Sequence, residues 1–476
     1  MSSRVFHAGN VWLPDGWHAD VRIEIDTGRF LSGALLDVSP TSKAEGESLG
    51  RWVVPGMPNL HSHAFQRAMA GLAEHRGDPA DSFWTWREVM YAFAGTVGPD
   101  ELRAIATQLY VEMLKAGYTQ VCEFHYLHHQ PNGKPYADPA AMSLALVDAA
   151  QEAGIGLTLL PTLYMTGGFD GRALVERQRR FAHDVDGFLR LVERLRMLES
   201  PHLRIGIALH SLRAVPEDAM NAVLDGIAKL PASRSGTPSS MMPIHIHIAE
   251  QIGEVQDCLA VRNARPVEWL LEHADVDARW CLVHATHVEK SEVEKLAATG
   301  AVVGLCPTTE ANLGDGLFPL KDWLDAGGTI GIGSDSHISV SPIEELRWLE
   351  YGQRLTTRHR NISASETEPS TGAVLFKANL LGGARASGMP IGLLQGGDAN
   401  LPSVGHRADL LVLDDHSALL AGRDQSNLLD TWIFAGNSNL VRDVMVNGEW
   451  VVRDFHHRDE ARIASRYRAV IARLHE

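Results

Sequence analysis

Eight short apolar runs, each typical of a buried β-strand, alternate with stretches of helical patterning along the middle of the chain. Eight strand-and-helix units over roughly 340 residues predict a TIM-like (β/α)8 barrel, an α/β fold in which residues just beyond the carboxyl ends of the strands converge on one mouth. Polar residues that follow the runs therefore indicate where a site would form. The runs are 52–60, 119–124, 156–163, 203–209, 242–248, 280–283, 301–305 and 329–333.

Both ends of the chain carry further strand patterns that a barrel does not need. Short alternating segments flank a Pro14-Asp15-Gly16 turn, and residues 444–452 are typical of a hairpin hinged at Asn447-Gly448. We predict that the two ends pair into one small β-sandwich domain beside the barrel, with a closing helix at 459–474. The predicted limits are 1–52 and 396–476 for the β-domain and 53–395 for the barrel, with a link at 396–405.

Charge and composition exclude several classes of partner. The chain of 476 residues has a formal net charge of −16 and no basic run, so neither nucleic acid nor an anionic membrane is expected as its partner. No stretch approaches the roughly 18 apolar residues of a membrane span, and the first residues lack a secretory signal. Four well-separated cysteines are typical of reduced core thiols, which favours a cytoplasmic protein.

Two histidines, His61 and His63, follow the first apolar run. Alternate side chains of a strand point the same way, so the pair can share one cation, although such pairs also occur as polar features of a sheet edge. His247 and Asp335, at the ends of the fifth and eighth runs, would complete four metal ligands, unless Asp335 is only a helix N-cap. His245 shares a face with His247, and we expect it one layer deeper in a structural role.

The ligand types favour one divalent ion. Barrel hydrolases with two metals often bridge them through a carboxylated lysine on a middle strand, and this chain has no lysine between Lys134 and Lys229. Three histidines and a carboxylate suit zinc, although such a set also accepts iron, manganese or nickel. We therefore predict one divalent metal ion, with Zn²⁺ as the simplest choice.

Glu250, His284 and Asp335 are the candidate catalytic residues. Glu250 could pass a proton to a nitrogen leaving group, or it could be a solvated residue near the start of the next helix. His284 could donate a hydrogen bond to the attacking oxygen, or it could be a satisfied core histidine. Asp335 could bind the metal and also accept a proton from water.

The stretches PGMPNLHSH at 55–63, HIAE at 247–250 and ADLLVLD at 408–414, together with His284 and Ser334-Asp335, carry a family resemblance. They resemble the amidohydrolase superfamily in its mononuclear deaminase branch, and within it the family of N-formimidoyl-L-glutamate deiminases of histidine degradation. The resemblance covers nearly the whole chain. It implies a hydrolase that releases ammonia from a small dicarboxylate substrate, and a homodimer.

The same resemblance implies five substrate-binding residues. Arg213 could grip a carboxylate through two parallel hydrogen bonds. Arg87 could supply the second cation that a dicarboxylate needs, or it could be a surface arginine stacked on Trp84 or Trp86. The five are Gln66, Arg87, Tyr126, His210 and Arg213.

The residues and the resemblance together favour hydrolysis of N-formimidoyl-L-glutamate to N-formyl-L-glutamate and ammonia. Water activated by the metal would attack the formimidoyl carbon, His284 would steady the oxygen, and Glu250 would protonate the departing nitrogen. Two alternatives stay open. One is a related deaminase that acts on a heterocycle such as guanine or cytosine, and the other is a non-catalytic barrel that serves as a scaffold.

Overall fold

The apolar runs of the chain assemble into two β-sheets. The structure, a computed structural model, describes residues 3–26, 35–40, 46–75, 83–392 and 407–474. The strands in these ranges are β1 (Ser3–Leu13), β2 (Gly16–Asp26), β3 (Leu35–Pro40), β4 (Glu47–Pro55), β5 (Met57–Ser62), β6 (Tyr118–His125), β7 (Gly156–Leu163), β8 (Leu203–Ile205), β9 (Ile207–Ser211), β10 (Ile244–Ile248), β11 (Trp280–His284), β12 (Val302–Leu305), β13 (Thr329–Ile332), β14 (Leu410–Leu413), β15 (Val441–Val446), β16 (Glu449–Arg453) and β17 (His456–His457).

The larger sheet is the predicted barrel, and every apolar run contains one of its strands. The parallel order around it is β5, β6, β7, β9, β10, β11, β12 and β13, and the short β8 pairs with β7 just ahead of β9. The fourth run divides at Gly206, where a Cβ would lie 2.7 Å from the Pro243 carbonyl oxygen. The (β/α)8 prediction is confirmed.

The barrel closes between β13 and β5, and predicted site residues make the closing hydrogen bonds. The Asp335 N–H donates to the His61 carbonyl at 2.9 Å, and the His63 N–H donates to the Asp335 carbonyl at 3.2 Å. Gly333 permits this approach, because a Cβ there would lie 2.7 Å from the Cβ of His61. The end of the eighth strand is thereby fixed beside the end of the first.

The first apolar run serves both sheets, which the sequence analysis does not predict. β4 ends at Pro55 in the smaller sheet, and β5 begins at Met57 in the barrel. Gly56 lies between them and donates its N–H to the Asp409 carbonyl at 3.1 Å, while Thr119 occupies the space where a side chain would stand. Hydrophobic periodicity cannot locate such a division because both halves are apolar.

The smaller sheet joins the two ends of the chain in the order β17-β16-β15-β14-β4-β1-β2-β3. Its neighbours are antiparallel except for β1 and β4, which pair in parallel. The hairpin between β15 and β16 turns at Asn447 and Gly448, whose φ angles of 48° and 80° fit a type I′ turn. The predicted β-domain from both chain ends is confirmed, as one continuous sheet of eight strands rather than two facing sheets.

The predicted domain limits stay a prediction. The strand that contains Trp52 continues to Pro55 in the smaller sheet. The limit between residues 395 and 396, and the link at 396–405, lie outside the described residues.

Helices connect the barrel strands and cover the barrel. The closing helix predicted at 459–474 is the last of them. Their bounds are α1 (Phe83–Ala94), α2 (Pro99–Ala116), α3 (Ala141–Ala153), α4 (Val185–Arg196), α5 (Glu217–Ala228), α6 (Ile252–Arg262), α7 (Pro266–His273), α8 (Lys290–Ala297), α9 (Pro307–Leu313), α10 (Leu320–Asp325), α11 (Pro342–Thr357), α12 (Thr371–Ser387), α13 (Leu428–Phe434) and α14 (Glu460–Leu474).

Two composition-based expectations can be compared with the structure. Over the ranges that the structure covers, none of the helices has the length and apolar character needed to span a membrane. The four cysteines are buried and unpaired, as expected for reduced core thiols; they are Cys122, Cys258, Cys281 and Cys306.

Candidate active site

The predicted site residues lie at the carboxyl ends of four barrel strands, on one mouth. His61 belongs to β5 and His63 follows it, while His247 lies in β10 and His284 ends β11. Asp335 lies three residues beyond β13. The backbone is unusual at these ends, because Asp335 and His284 have φ angles of 43° and 70°. Non-glycine residues in this left-handed region are uncommon and cluster at functional sites.

Four of these side chains meet at one point. The Nε2 atom of His61 lies 3.1 Å from Nε2 of His63 and 2.9 Å from Nε2 of His247. Asp335 Oδ1 lies 3.4 Å from Nε2 of both His61 and His63. The four predicted ligands are therefore brought together by strands that are far apart in the sequence.

The surrounding main chain selects which ring nitrogen faces this point. The Nδ1–H of His63 donates to the Phe124 carbonyl at 2.9 Å, and the Nδ1–H of His247 donates to the His210 carbonyl at 3.0 Å. Each of these bonds leaves the Nε2 lone pair free to bind a cation, the arrangement that metal-binding histidines commonly show. Phe124 also stacks on the His247 ring at a centroid distance of 4.3 Å.

The protonation of the three rings suits a metal site. Burial lowers the pKa of His61 and His247 well below the usual range for histidine, and neighbouring histidines lower it further. Burial also lowers the pKa of His63. Three neutral imidazoles and a carboxylate whose donor atoms converge are the ligand set that a four-coordinate divalent cation requires, so the residues fit the predicted ion.

His284 and Glu250 stand beside this quartet. The Nε2 atom of His284 is 3.9 Å from Glu250 Oε1 and 3.9 Å from Asp335 Oδ2. Its Nδ1 bonds to Glu310 Oε1 at 3.2 Å. Burial opposes a charge on this ring, but the carboxylates of Glu250, Glu310 and Asp335 outweigh it and raise the pKa of His284 to about 10. The three carboxylates therefore favour the protonated form of this ring.

The mouth also contains two further carboxyls, of which Glu250 is half-buried and Glu254 is buried. Burial is the largest influence on Glu250 and raises its pKa, so that the carboxyl can hold a proton nearer neutrality than an exposed glutamate does. Glu254 accepts a hydrogen bond from the Glu250 N–H at 3.1 Å, and burial raises its pKa to about 7. The main chain of Glu250 is thus held by a second acidic side chain.

The five predicted substrate-binding residues line the same cleft as His63, His247 and Asp335. Gln66 donates its amide to the Tyr126 hydroxyl at 3.0 Å. Arg213 is largely buried, with 9% of its surface exposed, and Arg87 lies half-buried on α1. Burial, then Arg213, then other neighbours including Arg87 lower the pKa of His210, which shows that both cations are within electrostatic reach of that ring.

Several residues of the cleft escape the sequence analysis. Glu310, which orients His284, follows the seventh strand, and a search for polar residues beyond every strand end would have found it. His245 was considered in the sequence analysis and expected to lie one layer deeper; its ring bonds to the Ala386 carbonyl at 2.8 Å, away from the quartet. The other lining residues that sequence reasoning did not select are Trp86, Met90, Tyr91, Tyr164, Phe181 and Leu313.

The fold and the site define the class of protein: a barrel with a histidine-rich metal centre at the carboxyl ends of its strands. The family model described as "Amidohydrolase family" matches residues 52–451, so the chain belongs to the amidohydrolase family.

Individual relatives agree with this assignment. The chain is 52% identical to formimidoylglutamate deiminase of Pseudomonas aeruginosa over 464 aligned residues. The alignment covers 97% of each chain. A crystal structure of an amidohydrolase from Brucella melitensis superposes with a TM-score of 0.88 and 43% identity, covering 99% of this chain and all of that one. A zinc complex of atrazine chlorohydrolase from Arthrobacter aurescens shares the fold, with a TM-score of 0.78 at 21% identity over 98% and 99% of the chains.

The geometry predicts that one divalent ion binds per chain and that His247, not His245, is a ligand. Adding zinc to metal-free protein should raise Tm, since a ligand that binds only the folded state stabilises it by about 2.7 kcal/mol at 100 times its Kd. The His247→Asn variant should lose this rise, whereas His245→Asn, on the same strand, should keep it. Calorimetry with elemental analysis checks both, and a rise retained in His247→Asn or two ions per chain would contradict the site.

Proposed function

We propose that the protein is a metal-dependent deiminase that converts N-formimidoyl-L-glutamate and water to N-formyl-L-glutamate and ammonia. The observation that carries this proposal is the 52% identity with the Pseudomonas aeruginosa deiminase over 97% of both chains. The reaction breaks the bond between the formimidoyl carbon and its terminal nitrogen and forms a carbon–oxygen double bond in its place. The cleft contains groups suited to both substrate binding and proton transfer.

The substrate's two carboxylates would be recognised by the two arginines of the cleft. Arg213 and Arg87 line the same cleft, and both act against the burial that raises the pKa of Tyr164, so both cations are within electrostatic reach of that hydroxyl. The chain as a whole carries a net charge of −16, and binding of a dianion therefore depends on such locally placed cations. The guanidinium group suits this role because its donors match the two oxygens of a carboxylate.

The metal ligands would be His61, His63, His247 and Asp335. A divalent cation bound there supplies Lewis acidity, which makes water a nucleophile near neutral pH. We propose zinc as this cation, in agreement with the three nitrogen ligands and one oxygen ligand, among the metals that such a set accepts.

Glu250 and His284 would move and hold the protons. The Glu250 carboxyl has a raised pKa and can receive a proton and deliver it to the terminal nitrogen, which must be protonated before it departs as ammonia. His284 is fixed through Nδ1 by Glu310, so its Nε2–H would donate to the oxygen that adds to the formimidoyl carbon. Asp335, 3.9 Å away, would accept the proton that water loses.

Two alternatives are less well supported by the cleft. A deaminase of neutral heterocycles has no use for two arginines in its pocket. A barrel that served only as a scaffold would have no need of a full set of converging ligands with oriented rings. We further propose that the protein acts in the cytoplasm in histidine degradation and assembles as a homodimer.

The proposed substrate predicts a specific pattern of ammonia release. The zinc-loaded protein should release ammonia from N-formimidoyl-L-glutamate, and should show little or no release from guanine or cytosine, which lack the two carboxylates. Glutamate dehydrogenase coupling measures the ammonia continuously. Turnover of guanine or cytosine, with none of formimidoyl-glutamate, would contradict the proposal and favour a heterocycle deaminase.

The proposed proton transfer predicts that Glu250→Gln has an impaired chemical step and an intact metal site. We expect kcat to fall by about 10²- to 10⁴-fold, since a positioned general acid–base contributes that much, while metal content stays at the wild-type value. Glu193→Gln, the same change at an exposed position of α4, is the matched control and should leave kcat unaltered. A near-normal rate in Glu250→Gln would remove Glu250 from the mechanism.

A further inference from the structure

Gln178 is a buried side chain whose amide nitrogen bonds to two residues of the cleft, although it contacts none of the predicted site residues itself. It lies in the short 3-10 helix at Glu176–Phe181, in the connection after β7, and only 2% of its surface is exposed. Its Oε1 accepts the Val175 N–H at 3.1 Å. Its amide nitrogen donates to the hydroxyls of Tyr91 at 3.2 Å and Tyr164 at 3.0 Å. One amide thus connects two tyrosines that line the cleft.

Tyr91 passes this constraint to Arg87. The two residues lie one turn apart on α1, and Arg87 Nε donates to the Tyr91 hydroxyl at 2.5 Å. The guanidinium carbon also lies 5.0 Å from the centre of the Tyr91 ring, within range of a cation–π interaction. The Tyr91 hydroxyl therefore receives hydrogen bonds from both Gln178 and Arg87, and its position depends on both.

This chain of contacts connects two segments that are far apart in the sequence. Arg87 comes from α1, which follows the first strand of the barrel. Gln178 comes from the connection after β7, the third strand of the barrel. A second contact joins the same two segments at the surface, an ion pair between Arg177 and Glu88, but both of its side chains are more than half exposed. Exposed pairs of this kind contribute little to stability. The buried contact through Tyr91 is the one that reaches the cleft.

Fixing an arginine before the substrate arrives has a clear energetic benefit. A free arginine side chain loses rotamer entropy when it binds a carboxylate, and that loss weakens binding. A guanidinium already held by a hydrogen bond and by a ring has less freedom left to lose. Arg87 lines the cleft together with Tyr164, which is held by the same Gln178 amide.

We propose that Gln178 is a positioning residue for carboxylate recognition: through Tyr91 it holds Arg87 toward the cleft, and through Tyr164 it fixes the neighbouring wall. This inference rests on the proposed function, in which Arg87 binds one carboxylate of the substrate. A merely structural role for Gln178 would affect stability and turnover in general. A positioning role affects the binding of one particular carboxylate.

The test compares Gln178→Leu and Tyr91→Phe with a matched control. Both variants should raise KM for N-formimidoyl-L-glutamate by about 10-fold and should change kcat by less than about 2-fold. Tyr91→Phe removes a hydrogen bond to the charged Arg87, and Gln178→Leu releases the tyrosine that accepts that bond. Tyr91→Phe removes only the hydroxyl and leaves the Val175 contact of Gln178 in place. Arg177→Ala breaks the surface ion pair between the same two segments and should leave both constants at their wild-type values.

Two further measurements separate positioning from general damage. Adding Gln178→Leu to Arg87→Ala should raise KM by much less than about 10-fold, since the effect that passes through Tyr91 to Arg87 is already gone and only the contact with Tyr164 is still lost. Formimidoyl-glycine keeps only the α-carboxylate, and formimidoyl-γ-aminobutyrate keeps only the side-chain carboxylate. One of these two analogues should be insensitive to Gln178→Leu, namely the one that lacks the carboxylate bound by Arg87.

Binding of glutarate, a dicarboxylate without a formimidoyl group, tests the inference without turnover. Calorimetry should show Kd raised about 10-fold in Gln178→Leu and Tyr91→Phe but not in Arg177→Ala. One outcome is that the wild type and the variants show this pattern of glutarate affinities while the wild type releases no ammonia from formimidoyl-glutamate. In that case the positioning role stands and the proposed function fails. The inference would be overturned if folded Tyr91→Phe kept the wild-type Kd and KM, or if Arg177→Ala weakened binding as much as the two test variants do. It would also be overturned if the wild type did not bind glutarate.

Discussion

The seam between the first and last barrel strands is the constraint on which the rest of this site depends. The backbone bonds that join Asp335 to His61 and His63 are also the bonds that close the barrel. Closure brings a carboxylate from the eighth strand to 3.4 Å from two imidazoles of the first, without any long side chain having to reach across the mouth. Gly333 is what permits so close an approach. The same bonds therefore close the barrel and bring the proposed metal ligands together.

The neighbouring strand ends then determine which atoms face the centre. The carbonyls of Phe124 and His210 accept the Nδ1–H of His63 and His247, so the Nε2 atoms of these two proposed ligands point inward. His210 thus supports the metal site with its main chain while its ring forms part of the cleft wall. Glu310, in α9 just beyond the seventh strand, orients His284 through its side-chain carboxylate. Five strand ends, β5, β6, β9, β10 and β13, thus contribute a proposed ligand or a group that orients one.

The sequence predicted the repeating part of this architecture and the residues that end its strands. Apolar runs and His-x-His spacing are local patterns, and they were sufficient to identify the eight strands and the four converging ligands. The division of the first run at Gly56 could not be predicted, because a small-domain strand and a barrel strand are equally apolar. Tyr91, Tyr164 and Gln178 were missed for a different reason: their roles arise only where connections from separate strands pack together, and no short-range pattern encodes that contact.

The most direct measurement of the central claim is the position of the bound metal. Crystals of the zinc-loaded protein should show one anomalous-scattering peak per chain, at about 2.0–2.2 Å from Nε2 of His61, His63 and His247 and from a carboxylate oxygen of Asp335. A single peak in that place would establish that barrel closure builds the catalytic centre. A peak bound through His245, or no peak between the four side chains, would contradict the account.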